Sequence, residues 1–380
     1  GRWTNVLSPQ PWQQCVGGGG GDDFDDRRSG GEYLEGEAKM KTKLLVGMVL
    51  GWLSGYSENV LANRAQGFLG FIGLAAETTW GTAVAATDYA EALSENLSTN
   101  IDRFPTRNIF GGFYEPDDYA GLRRVAGSIV HAANALTLGH LLKAVFNNSS
   151  ASSVLSGFLW TMNYTSTKSE FAAGVPRQPY TLEINRNVTS SHRYAGAICN
   201  KLTMALAPNQ ALQITTEWLA QARTLLAATT PTFPGSPTDP FTFDTASVSL
   251  AGAANTRLEA FNLSIDNNLE GIPSLNNTNT IARVRARDLQ MIRISGTLDF
   301  TDVTEEQDFI NQTERALTIS LTRAQSFQLI LDVPRMVYTA FPTGMPGRGR
   351  LTVGFEGTAR YLASSLTSLG VRLTTVKSNY

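Results

Sequence analysis

The residues that could do chemistry are few, and their spacing is poor for it. The 380-residue chain holds three histidines (His131, His140, His192) and two cysteines (Cys15, Cys199). His131 and His140 do not have the one-turn spacing of a helical metal pair, and a closed zinc site would need carboxylates for most of its ligands. No nucleophile elbow of the G-x-S-x-G kind, no P-loop, no H-E-x-x-H and no paired Cys-x-x-Cys occurs. Gly344-Met-Pro-Gly-Arg-Gly is glycine-rich, but it lacks the spacing of a dinucleotide turn and sits between two strands, so it reads as a hairpin loop. His140, beside Leu141 and Leu142 on an apolar helix face, reads as a hydrogen-bonded core histidine. Carboxylates gather at Glu115, Asp117 and Asp118, and again at Glu305, Glu306 and Asp308, where acids in a first turn complement the helix macrodipole. A glycosidase needs two carboxylates across a cleft, and no motif here supports one. The expectation is a protein without catalytic residues, cofactor or metal.

Two further groups suit contact rather than catalysis. The loop from Arg103 to Arg124 is long for a sheet connection and carries Phe104, Phe110, Phe113, Tyr114 and Tyr119, and aromatics in an oversized loop usually touch something. In a second long loop, 267 to 290, Arg283, Arg285 and Arg287 alternate with Ala282, Val284 and Ala286. Period two puts the three arginines on one face of an extended segment, where they could meet phosphates or carboxylates.

The elements that position these residues are mostly strands. Hydrophobic residues make up 42% of the chain and charged residues 17%, which excludes a charged disordered tail or a coiled coil for the bulk of it. A net charge of -2 supplies no field that would coat the protein with nucleic acid. The two cysteines form no disulfide framework. From residue 67 on, runs of Thr, Val, Ile and Leu alternate with Asn, Gly, Pro and Asp joints, as in antiparallel sheet. Two helices are expected, one over Ala133 to Phe146 and one from Thr304, with the Thr304 hydroxyl as cap and Gln307 reaching back.

The order of elements repeats. Glu95-Asn-Leu-Ser-Thr-Asn-Ile, Arg124-Val-Ala-Gly-Ser-Ile, the first helix, Tyr180-Thr-Leu-Glu-Ile, Tyr194 to Leu206, a turn and Leu212-Gln-Ile-Thr-Thr-Glu form one series. Phe261-Asn-Leu-Ser-Ile-Asp, Arg293-Ile-Ser-Gly-Thr-Leu, the second helix, Leu317-Thr-Ile-Ser-Leu, Phe327 to Val337, a turn and Leu351-Thr-Val-Gly-Phe-Glu form the other. The proline-rich stretch 230–240 makes the boundary between domains at 67–229 and 241–380. Residues 1–66, with five consecutive glycines and a run of aspartates, read as a disordered or non-native arm, with Met40 or Met48 as candidate starts. The apolar run Leu44 to Leu53 is too short to span a bilayer, although it could serve as a signal-peptide core.

The run Glu77-Thr-Thr-Trp-Gly-Thr-Ala-Val-Ala, followed by Leu93-Ser-Glu-Asn-Leu, the Val-Ala-Gly-Ser-Ile strand, Tyr180-Thr-Leu-Glu-Ile, Arg193-Tyr-Ala-Gly and Leu202-Thr-Met, resembles the tail tube proteins of long-tailed bacteriophages. The likeness covers residues 67 to 380. It implies a mainly β chain of two tandem β-sandwich or barrel tube domains, each with one flanking helix. It also implies a homo-oligomer in the virion tail, assembled in the host cytoplasm with other tail proteins and without a membrane. Rings would stack into a tube whose lumen passes DNA without sequence-specific binding, and in duplicated members three chains imitate a six-fold ring. On that reading Phe110, Phe113, Tyr114, Glu115, Asp117 and Asp118 of one loop meet Arg283, Arg285 and Arg287 of the other between successive rings. The rival from another class is a secreted two-domain β-sandwich binding module or glycan hydrolase.

Overall fold

The computed structural model describes residues 65–106, 117–146, 149–154, 157–163, 177–235, 239–345, 347–364 and 367–380. The arm and the apolar run before residue 65 lie outside them, as do Phe110, Phe113, Tyr114 and Glu115. The described chain is mainly β, with two α-helices.

The first half contains β1 (Phe71–Ala76), β2 (Asp88–Ala90), β3 (Ser94–Glu95), β4 (Ser98–Pro105), β5 (Asp118–Ala132), α1 (Ala135–Val145), β6 (Ser149–Val154), β7 (Gly157–Asn163), β8 (Tyr180–Asn185), β9 (Ser190–Leu206), β10 (Gln213–Ala220) and β11 (Ala222–Ala227). The second contains β12 (Ala246–Leu250), β13 (Ala253–Ala254), β14 (Leu258–Asp266), β15 (Leu269–Ile272), β16 (Arg283–Ala286), β17 (Met291–Asp299), α2 (Thr304–Ile310), β18 (Arg315–Ala324), β19 (Phe327–Ala340), β20 (Thr352–Ala359) and β21 (Gly370–Thr375). Residues 228–235 are neither strand nor helix, and Pro240 returns to the first half through a bridge to Asn134.

Seven antiparallel ladders of the first half recur in the second. β1–β2, β1–β8, β8–β9, β9–β11, β9–β10, β10–β5 and β5–β4 correspond to β12–β13, β12–β18, β18–β19, β19–β21, β19–β20, β20–β17 and β17–β14. Two ladders cross between the halves: β9 with β14, and β7 with β21.

In each half one long strand turns from one sheet into another. The first part of β9 pairs with β8 and β11 and its last part with β10 and β14. Gly196 makes this bend at φ +63°, where a Cβ would come within 2.9 Å of Trp80 Nε1. In β19 the bend falls where the ladder to β18 slips its register, and Pro334 sits in that bulge.

Alternation buries one face of each strand. In β10 it is Ile214, Thr216, Trp218 and Ala220 that point inward, and in β20 Val353 and Phe355. Helix α1 lies over this core with Leu138, Leu141, Leu142 and Val145 buried. Its cap is Asn134, whose Oδ1 accepts from Leu136 N at 2.8 Å. The start of α2 differs from expectation: Thr304 is the first residue inside the helix and Val303 holds the cap position, so it is Asp302 Oδ1 that takes an orphan N–H, that of Thr304, at 2.8 Å. Aspartate at that position reaches an N–H two residues on, which a residue already inside the helix cannot do.

Candidate assembly surface

Eight strands form one continuous antiparallel run in the order β4, β5, β10, β9, β14, β17, β20, β19. Pairs in register share a face, so the rows of side chains across the run can be read from the ladders. Ser128, Glu217, Lys201 and Asp266 make one row; Thr215, Thr203, Ser264, Arg293 and Thr358 make the next. This face is mainly polar, with Val130, Met291 and Val337 in register on it, while its reverse carries Ile214, Met204, Leu263, Ile265, Ile294 and Phe355, all buried. On the polar face the cations Arg124, Lys201 and Arg293 stand among the carboxylates Asp102, Glu217, Asp266, Asp299 and Glu356. Arg124 pairs with Asp102 at 3.0 Å, and Lys201 with Glu217 at 3.4 Å. Lys201 stands directly across from both Glu217 and Asp266, while Asp102 reaches Arg124 diagonally, and such opposite-charge neighbours stabilise a sheet face.

Both described ends of the loop expected from Arg103 to Arg124 are strand. Residues through Pro105 belong to β4 and residues from Asp118 to β5, so the two strands extend as a pair beyond the core. Phe104 and Tyr119 stack at 5.9 Å on its exposed flank, and Arg103 lies 3.8 Å from Asp118. Asp117 and Asp118 are exposed at the start of β5.

The second long loop holds the hairpin β15–β16. Arg283, Arg285 and Arg287 are all exposed, while Val284 is buried in a small cluster with Leu269, Ile281 and Ile198. The alternation expected from the sequence is therefore present. The hairpin is also tied to β5, since Arg123 N donates to Asn279 O at 2.7 Å.

Other expected residues have structural duties. His140 is buried, with Nε2 3.1 Å from both Asp88 Oδ2 and Lys377 Nζ. Burial pushes its pKa down, although Asp88 opposes the shift. Burial acts against the Asp88 charge too, but hydrogen bonds from His140 and Lys377 outweigh it and hold the carboxyl below its ordinary range. His131 is buried with Nδ1 2.9 Å from Glu91 O. Cys199 is fully buried, and burial pushes its thiol up, away from the reactive thiolate. Among the described residues no cluster of His, Cys, Asp and Glu could hold a metal ion, and no helix is long and apolar enough to cross a membrane.

Sequence reasoning missed how the acids of α2 are used. Glu305 and Asp308 are buried: Glu305 is held by Arg257, with Nη1 to Oε2 at 3.2 Å, and Asp308 by Arg315 in a fork of two bonds of 2.6 Å. The helix-dipole account is incomplete, because these carboxylates anchor the helix to its neighbours. Only Glu306 stays near the surface, accepting from Thr343 Oγ1 at 2.9 Å.

The Glu77 motif also has a structural role. The Glu77 carboxylate accepts from Thr181 Oγ1 at 2.7 Å, Gly196 N at 2.8 Å and Gly81 N at 2.8 Å. Trp80 Nε1 donates to Gly196 O at 3.0 Å. The motif thus clamps the bend of β9, and Gly81, at φ +80°, makes the tight turn between the glutamate and that strand.

The described chain is mainly β, and the polar-faced run ends at β4, which pairs on one side, and at the last residues of β19. The profile of the phage tail tube protein family matches residues 67–359, and the chain belongs to that family. It is a structural subunit of the tail tube and a component of the virion tail. No curated protein matches the chain.

Proposed function

We propose that the chain is a tandem pair of tube-fold domains, 67–229 and 241–380 joined through 230–240. Three copies form a ring of pseudo-six-fold symmetry, and rings stack into a hollow tail that passes DNA. The observation that carries this is the eight-strand run with one polar face. Three such runs would make a barrel of about 24 strands, well beyond the 16–18 strands that already enclose an aqueous channel. A lining of mixed charge suits passage: it gives duplex DNA no row of cations whose binding would release counterions and hold it.

Successive rings meet, on this reading, through the arginine face of β16 (Arg283, Arg285, Arg287) and the acids Asp117 and Asp118, with Phe110, Phe113, Tyr114 and Glu115 in the same contact. Assembly proceeds in the host cytoplasm with other tail proteins, and the protein has no catalytic role.

Electron microscopy of the purified full chain tests the proposal. Stacked rings are expected, and a particle that stays monomeric at every concentration would favour the binding-module alternative. Replacing Arg283, Arg285 and Arg287 together by Glu should give rings that no longer stack; tubes of normal length would move the stacking contact elsewhere. Lysines in place of Thr203, Asn262 and Ser264 should give tubes that retain duplex DNA in a salt-dependent way, unlike the wild type.

A further inference from the structure

The joint between the two halves is a template for the joint between copies. It has two parts. The last part of β9 takes β14 along its edge, from Leu206↔Phe261 to Lys201↔Asp266. Helix α1 is covered by β21 and by the C-terminal segment, where the Tyr380 ring closes over Gly139 and its hydroxyl donates to Ala135 O at 2.8 Å. The first half therefore offers a strand edge and a helix face, and the second half fills them with its own β14 and β21.

Through the repeated ladders, β9 and α1 correspond to β19 and α2, while β14 and β21 correspond to β4 and β11. In the single chain each of these four counterparts is uncovered in part. Among the described residues β4 pairs only with β5, β11 only with β9, and Val337–Ala340 of β19 only with β20. Val303 and Ile310 on α2 are 54% and 60% exposed, and Leu225 on β11 is 59% exposed.

We propose that a second copy of this chain fills these places: its β4 adds antiparallel along the edge that begins at Ala340, with Asn100 opposite Ala340 as Asp266 is opposite Lys201, and its β11 lies against the uncovered face of α2. The contact is heterologous, since one end of each chain meets the opposite end of the next, and repetition of a sixth-turn rotation closes it after three copies. Strand addition supplies the main-chain hydrogen bonds, and the helix contact covers apolar surface that a lone chain leaves in water. This inference rests on the tube-subunit reading and adds to it which edges join.

Cysteine pairs in the full chain test it. In a Cys15→Ser background, Ala340→Cys is combined with either Ser98→Cys or Asn100→Cys, two positions that cover a slip of one pleat. Cys199 does not interfere, because it is fully buried. Asn262→Cys with Ala205→Cys, a pair in register inside the chain, is the positive control and should close without change of mass.

Mild oxidation of assembled rings should convert one of the two test pairs to covalent dimers and then to a closed trimer on a non-reducing denaturing gel. Rings seen by microscopy with neither pair cross-linking would overturn the strand joint and leave the tube reading standing. A protein that makes no rings would overturn both. Ile310→Glu, at an exposed site where folding should survive, should shift the concentration for ring formation upward at least tenfold with an unchanged circular dichroism spectrum. Ring formation at the wild-type concentration would remove α2 from the joint.

Discussion

The two helices occupy the same place in two halves of matching strand order, yet they are held by different physics. Helix α1 is mainly apolar and buried at every residue except Lys143, wedged between β9 beneath it and β21 with the C-terminal segment above. Helix α2 is shorter, is anchored by the two carboxylate–arginine pairs on its inner side, and leaves Val303 and Ile310 in water. The difference teaches that the burial of a helix is a property of its neighbour more than of the repeat. Where the next half belongs to the same chain, the helix can be apolar all round, because it is never exposed after folding. Where the next half would be another molecule, an outer face that is only partly apolar lets the chain stay soluble before it assembles.

The sharpest way to break this comparison is truncation in each helix. Leu142→Ala removes a side chain with no exposed surface, and a loss of about 2–5 kcal/mol is expected from urea unfolding of the full chain. A loss below 1 kcal/mol would mean that α1 is less tightly packed than its contacts suggest.

Next in size is Arg257→Ala. It leaves Glu305 buried without its cation, and since Arg257 is itself partly exposed the cost should fall near the lower end of the range for a broken buried pair, about 2–3 kcal/mol. Glu305→Gln in the same background should recover part of it, because a neutral amide needs no counter-charge. Failure to recover would assign the loss to packing of the arginine stem instead.

A pH series separates the two anchors. His140 has its pKa depressed in the folded chain, so stability present above its unfolded value of about 6.5 is lost as pH falls below it. Asp88 is also depressed, so its contribution is present above about 4 and is lost as pH falls further. The melting temperature should therefore decline between pH 7 and 5, and His140→Gln should flatten that limb, with Lys377, Lys143, Tyr180 and Tyr380 as the other groups facing the site. An unchanged slope in the variant would place the acid sensitivity outside the α1 contact.

The smallest effect should come from Ile310→Ala, within about 0.5 kcal/mol for the single chain, as usual for a surface site. The contrast with Leu142→Ala is the comparison in its plainest form.

Much of this fold is legible in the chain. Alternation in Gln213–Ala220 and the apolar period of Leu138, Leu141, Leu142 and Val145 are local patterns, and the order of elements repeats in plain view. The arginine row of β16 was also legible, because period two assigns faces without knowledge of the partner strand. The extended pair around Asp118–Arg124 was not, since a ribbon that projects past the core leaves its apolar residues Ile101, Phe104 and Tyr119 exposed and shows no buried face to read. The runs Asn96-Leu-Ser and Asn262-Leu-Ser hold equivalent places in the ladders, whereas the match of Arg124 with Arg293 is off by two residues, and a slip of two keeps every side chain on its face, so the pattern cannot detect it.

By itself, then, the sequence determined the strands, the two helices and their order, because propensity, alternation and helical period act over a few residues. Only the tertiary structure decided that Glu305 and Asp308 find Arg257 and Arg315, that Glu77 clamps Gly196, and that Tyr380 lies on α1. Those partners are brought together by the closing of whole sheets, and nothing in the spacing of either residue records the distance that folding removes.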